Sequence, residues 1–199
     1  MNAEDASDLM DQEKPKDVFK QRAAIAIAFF AMVLAITGLG GDNATKEAFN
    51  ENILASNSYN FFQAKNIRQT AYALAADELE LALTRDPNLP EAARTALRDK
   101  AAGYRKTVAR YESEPETNEG KKELLARARA HEQKRDHALK QDPYFDYAEA
   151  LLQIAIVLIS VSIVAETIWL AFFGGAVGVL GAILMINGFL LVVEIPWLG

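Results

Sequence analysis

Three stretches of this sequence, 23–41, 148–173 and 174–193, are apolar over about the 20 residues that a helix needs to cross a bilayer core. Nothing else constrains the chain as strongly, because a run of that kind in lipid must satisfy every backbone N–H and C=O inside its own helix. The first, AAIAIAFFAMVLAITGLGG, carries no ionisable side chain. A cleaved secretory signal has a similar outline, but the acidic tail of residues 1–22 ahead of the run favours a retained anchor. The 51% hydrophobic content is concentrated in these runs and is sparse between them, the profile of a membrane protein with a polar insert. The fold class expected is therefore an all-α membrane protein with three transmembrane helices and a helical, coiled-coil-like extramembrane insert, 42–147, between the first and second. Residues 194–199 form a short C-terminal end.

Cations beside the spans set the expected orientation. Lys14, Lys16, Lys20 and Arg22 precede the first span, and only Lys46 follows it closely, so the tail is expected in the cytoplasm and the insert outside, in a periplasm. Lys134, Arg135 and Lys140 before the second span pull the other way. The last two spans form a hairpin around WLAFFGG that returns the C-terminus to the outer side. A net charge of −6 gives no reason to expect nucleic acid, whose binding depends on clustered cations. With no cysteine there is neither a disulfide nor a thiolate site.

The insert reads as helices throughout. Asp42, Asn43 and Thr45 offer N-caps for a new helix running to about Thr84. RDPNLPE and SEPETNEG then break the chain, and Pro143 after Asp142 suggests a further restart. ALTRDPNLPEAA and ALKQDPYFDYAEA are loosely alike, but Asp86 and Asp142 are too far apart for a tetratricopeptide array. Ile53, Asn60, Ile67, Leu74 and Leu81 recur at heptad spacing, with Ala64 and Ala71 beside them, which predicts a helix-packing seam. Asn60 in that seam would demand a partner and so specify register. Ala93, Leu97, Ala101, Tyr104, Val108 and Tyr111 form a second stripe, and the two predict an antiparallel hairpin or an intermolecular bundle. The third helix has a weaker stripe, since Leu124 and Ala128 give way to His131, Arg135 and Asp142 on the same face, and its charge run KRDHALKQD is expected to be solvated.

The block SNSYNFFQAKNIRQ after the first span and LLQIAIVLISVSIVAE in the second resemble the bacterial membrane proteins grouped as DUF4337, a family of unknown function. Tyr59, Phe62, Gln63, Ala64, Lys65 and Ile67 carry most of the resemblance, with Gln153 to Ile156. It implies a cytoplasmic tail, one span, a helical insert and a closing two-span hairpin in the bacterial inner membrane. The family pattern has a basic cluster in the last turn, where this chain has AETIWLAFFGG with Glu166 and no cation.

Sites for chemistry are sparse. His131 and His137 are not spaced as ligands on one helix face, and both are expected to be solvated. No phosphate-cradling loop or nucleophile elbow is present. No catalytic, cofactor-binding or metal residue is assigned. Glu166 is the one candidate intramembrane carboxylate, with Trp169 beside it fitting an interfacial belt. Gly174, Gly178 and Ala182 recur at four-residue spacing and are expected to pack spans together. The function expected is non-enzymatic: a multi-pass protein in the lipid bilayer that self-associates through its insert and scaffolds or accompanies another membrane protein complex. Its contact helix would present Asn60 and Ile67 to the seam and Tyr59, Phe62, Lys65 and Arg68 on faces available to a partner, with Gln63 also at the interface. The alternative is a small homo-oligomeric channel or transport component passing Glu166.

The absence of native cysteine makes the orientation directly measurable. A cysteine replacing Asn118 should react with a membrane-impermeant thiol reagent in intact cells, while one replacing Ser7 should react only after lysis; the opposite pattern would invert the topology.

Overall fold

The computed structural model describes residues 3–195, with side chains from Val18 to Ile195. The side chains of the acidic tail before Val18, Lys14 and Lys16 included, and the C-terminal residues 196–199 lie outside the described residues. Among the described residues there are four helices and no strand: α1 (Ala3–Arg85), α2 (Glu91–Glu112), α3 (Lys121–Val164) and α4 (Ile168–Leu190). They divide into two compact units, Met1–Ala48 with Asp136–Gly199, and Phe49–Arg135.

In the first unit α3 and α4 pack antiparallel through a register of glycines. A Cβ on Gly174 would lie 2.9 Å from Ile159 Cγ1, one on Gly181 3.0 Å from Leu152 Cγ, and one on Gly188 3.1 Å from Phe145 Cε1. Each set steps by one heptad in opposite chain directions, so three bulky knobs of α3 enter three holes in α4 that only glycine leaves open. Gly178, on the next face, receives the ring of Phe30 from α1, whose Cζ would be 2.5 Å from an added Cβ. Ala23, Phe30, Val33, Leu152 and Ile159 form the core, with Ala182 and Met185 packed against it. The buried hydroxyls cause no orphaned polarity, because Thr37 donates to Val33 O at 2.8 Å and Ser162 to Ile159 O at 2.6 Å.

Three helix boundaries differ from the sequence reading. The chain reverses after Val164, not at the glycine pair near 174, because those glycines serve close packing inside α4. Glu166 makes the turn in a left-handed conformation, φ 50°, and Thr167 N–H closes it on Ser162 O at 3.1 Å. α1 does not restart near Asp42. It continues through Gly40 and Gly41 because the Phe145 ring packs where their side chains would be, and Thr45 donates to Asp142 Oδ1 at 2.8 Å instead of capping. α3 likewise runs through Pro143, the burial of Tyr144, Phe145 and Ala148 offsetting the missing backbone hydrogen bond. Beyond α4, Asn187 clamps Val193 through both its amide atoms, and the Tyr144 hydroxyl donates to Val193 O at 3.0 Å.

Gly174 and Gly38 provide an internally controlled test of this packing. Gly174→Ala should cost about 1–3 kcal/mol, since Ile159 Cγ1, Leu158 Cβ and the Ala155 carbonyl surround the added methyl. Gly38→Ala meets nothing within 4 Å and should be neutral or mildly stabilising. Thermal melts of the two variants in detergent would compare them.

Candidate interaction surface

In the second unit the α1 segment from Phe49 onward has two unlike faces. One face meets α2 and α3: Glu51, Ala55, Ser58 and Ala76 are buried, and Phe62, Lys65, Gln69 and Tyr72 are half-buried, at alternating spacings of three and four over most of that length. Small side chains admit the partner helices, and the long ones end in specific bonds. Glu51 Oε2 lies 2.5 Å from His131 Nδ1, and the Tyr59 hydroxyl donates to Glu132 at 2.9 Å. Gln69 Nε2 donates to Val108 O and to Glu112 Oε2, both at 3.0 Å, while its carbonyl accepts from Lys121 Nζ at 2.7 Å. Lys65 sits 3.6 Å from both Glu114 and Glu119 and over the Tyr111 ring. Farther along, Tyr72 meets Tyr104 and Tyr111 edge-on, and Arg105 bridges Asp77 and Glu80.

These contacts revise the expected surface. Tyr59, Phe62 and Lys65 are engaged within the unit, with Lys121 over the Phe62 ring, so they do not face outward as a free patch. His131 is not solvated either: the inward-facing carboxylate of Glu51 holds it. Periodicity could not reveal this seam, because Glu51, Ser58, Lys65 and Gln69 read as surface residues. The α2 stripe does meet α1, through Tyr104 and Tyr111 on Tyr72, and the pairing is antiparallel, since Gln69 meets Val108 while Asp77 and Glu80 meet Arg105.

The aliphatic heptad stripe lies on the opposite face. Ile53, Ile67, Leu74 and Leu81 are 42%, 70%, 59% and 46% exposed, and Asn60, Gln63 and Arg68 are exposed beside them. Phe49 and Phe61 add further exposed apolar area. In the first unit, Gly174 faces α3 while Gly178 faces α1, and Ala182 joins the shared core, so the small-residue stripe serves two neighbours. Glu166 is exposed in the α3–α4 turn, with Lys20 Nζ at 3.9 Å. Among the described residues no group of three or more His, Asp or Glu side chains converges as a metal site would require.

The fold and its surfaces define an all-helical protein, three of whose helices are long and apolar enough to cross a membrane. The chain belongs to the family described as Domain of unknown function (DUF4337), which matches residues 19–191. No curated protein and no solved structure shows significant similarity to it.

The polar seam has a pH signature. Hydrogen bonding from Gln69, and then from Lys121, holds the Glu112 carboxyl below the usual glutamate range. A lowered carboxyl contributes stability that is present above its unfolded pKa and lost as pH falls through the folded one. Acidification below the ordinary glutamate range should therefore weaken the docking of α2 and α3 on α1, and Glu112→Gln should reduce that acid dependence. Helix melting followed against pH would register the difference.

Proposed function

We propose that this protein is a multi-pass membrane protein of the bacterial inner membrane whose insert self-associates as a coiled coil and scaffolds another membrane assembly. The observation that carries the reading is the exposed stripe of Ile53, Ile67, Leu74 and Leu81, which is left over after α2 and α3 have taken the other face of α1. Fully burying such a side chain contributes about 1.5–3 kcal/mol, so a seam of four is a strong drive to association. Two copies paired in parallel would align these stripes in register. Asn60 then meets its own counterpart, the arrangement in which a seam amide finds a hydrogen-bonding partner and sets register. Three helices with apolar outward faces, less than a third buried in their most apolar windows, supply the anchor.

The scaffold reading assigns no catalysis, metal or cofactor to the chain. A homo-oligomeric channel is the other use of so small a membrane bundle. Its polar candidate, Glu166, is exposed in a turn beside Lys20, so we favour the scaffold.

Ile67→Asp should lower self-association by about tenfold or more, because a carboxylate in a packed seam must be desolvated. Asn60→Leu should strengthen association while admitting more than one register. Mass measurement in mild detergent reads both, together with any co-purifying assembly; an unchanged mass for Ile67→Asp would remove the seam from consideration.

A further inference from the structure

The first unit contains a groove that its own side chains do not fill. It has a volume of about 940 Å³ and runs between α1 and α4, floored by Ile159 of α3. Ala23, Ala26, Ala171, Gly175 and Ala176 keep its walls low, and Phe19, Phe30 and Phe172 bound it. That volume is at the upper end of the roughly 300–1,000 Å³ usual for a bound small molecule.

Both helices enter the groove from one end. Lys20 and Glu166 meet there at 3.9 Å, and Phe30 reaches Gly178 farther in, so α1 and α4 run parallel. The lining extends from Val18 to Phe30 on one helix and from Ile168 to Leu180 on the other. At ~1.5 Å per residue the α4 stretch is ~18 Å long and the part of the α1 stretch beyond Arg22, Ala23 to Phe30, ~11 Å, which bracket the ~15 Å half of a ~30 Å hydrocarbon core. The groove therefore has the depth of one leaflet. Its entry end carries Trp169, 78% exposed, as interfacial aromatics do.

One charged side chain lines the groove: Arg22, at that entry end. Lys20 balances Glu166, whereas Arg22 has no ion pair or hydrogen bond among the described residues. An apolar slot one leaflet deep beneath an uncommitted guanidinium has the chemistry of an anionic phospholipid, with the acyl chain in the slot and the phosphate on the guanidinium.

We infer that the α1–α4 groove is a binding site for an anionic phospholipid, its phosphate held by Arg22. The inference rests on the membrane reading above but not on the insert seam. It assigns Arg22 to headgroup choice and Gly175 to access, because a Cβ at Gly175 would meet nothing within 4 Å and points to open space.

Native mass spectrometry of the full chain in mild detergent, offered phosphatidylglycerol and phosphatidylcholine in equal amounts, tests the site. Phosphatidylglycerol should be retained preferentially, and Arg22→Gln should reduce its retention about tenfold, to the level of phosphatidylcholine, as loss of a charge-assisted contact implies. Gly175→Leu should block retention of both lipids. Gly38→Leu, also in open space but outside the groove, should leave retention unchanged, and melts of each variant without added lipid establish that it is folded. Equal retention of the two lipids, or retention indifferent to Gly175→Leu, would overturn the site. So would an oligomer that dissociates in Gly175→Leu without ever holding lipid, since a second copy would then fill the groove. Release of the parent chain from membranes by alkaline carbonate is a separate result, and would sink the membrane reading itself.

Discussion

The packing of Ile159, Leu152 and Phe145 against Gly174, Gly181 and Gly188 is the contact on which the rest of the first unit depends. Helices in lipid gain nothing from hiding apolar surface from water, so their association relies on closeness of approach, and glycine provides it. Once α3 and α4 are locked at that distance, Gly178 is turned toward α1 and can accept the Phe30 ring. The same ring helps bound the groove whose mouth holds Arg22. Core, helix register and groove thus follow from where side chains are missing.

The second unit uses the opposite strategy. Its internal seam is made of small residues and polar groups that satisfy one another: Glu51 with His131, Tyr59 with Glu132, and Gln69 with Glu112 and Lys121. A paired polar seam selects its partner by geometry, because a wrong alignment leaves part-buried donors and acceptors without their partners. The aliphatic side chains that would ordinarily make such a core are displayed on the outer face of α1. This division is what motivates reading the inner face as intramolecular and the outer face as intermolecular.

The helices were legible in the sequence, but their ends were less so. Gly40, Gly41, Gly174 and Pro143 are residues that stop helices in water, and the sequence reading ended elements at or near them. Each is instead inside a helix, where a ring or a neighbouring side chain occupies the space that a side chain would have taken, or where burial just beyond compensates a lost bond. The contact residues split in the same way. Ile67 and Asn60 lie on the exposed stripe that periodicity identified, whereas Tyr59, Phe62 and Lys65 were drawn inward by partners distant in sequence.

By itself the sequence determined the all-helical class, the three apolar runs, the heptad stripe and the family, because these depend on local composition and on spacing along one helix. Tertiary structure alone decided which face of α1 is used internally, that Glu166 occupies a turn, that Gly174 and Gly178 serve different neighbours, and that a groove lined by Arg22 remains between α1 and α4. The physical reason is common to all four. A helix pattern states which residues share a face, but what that face meets is settled by side chains on other helices, through steric fit and hydrogen-bond pairing that no periodicity encodes.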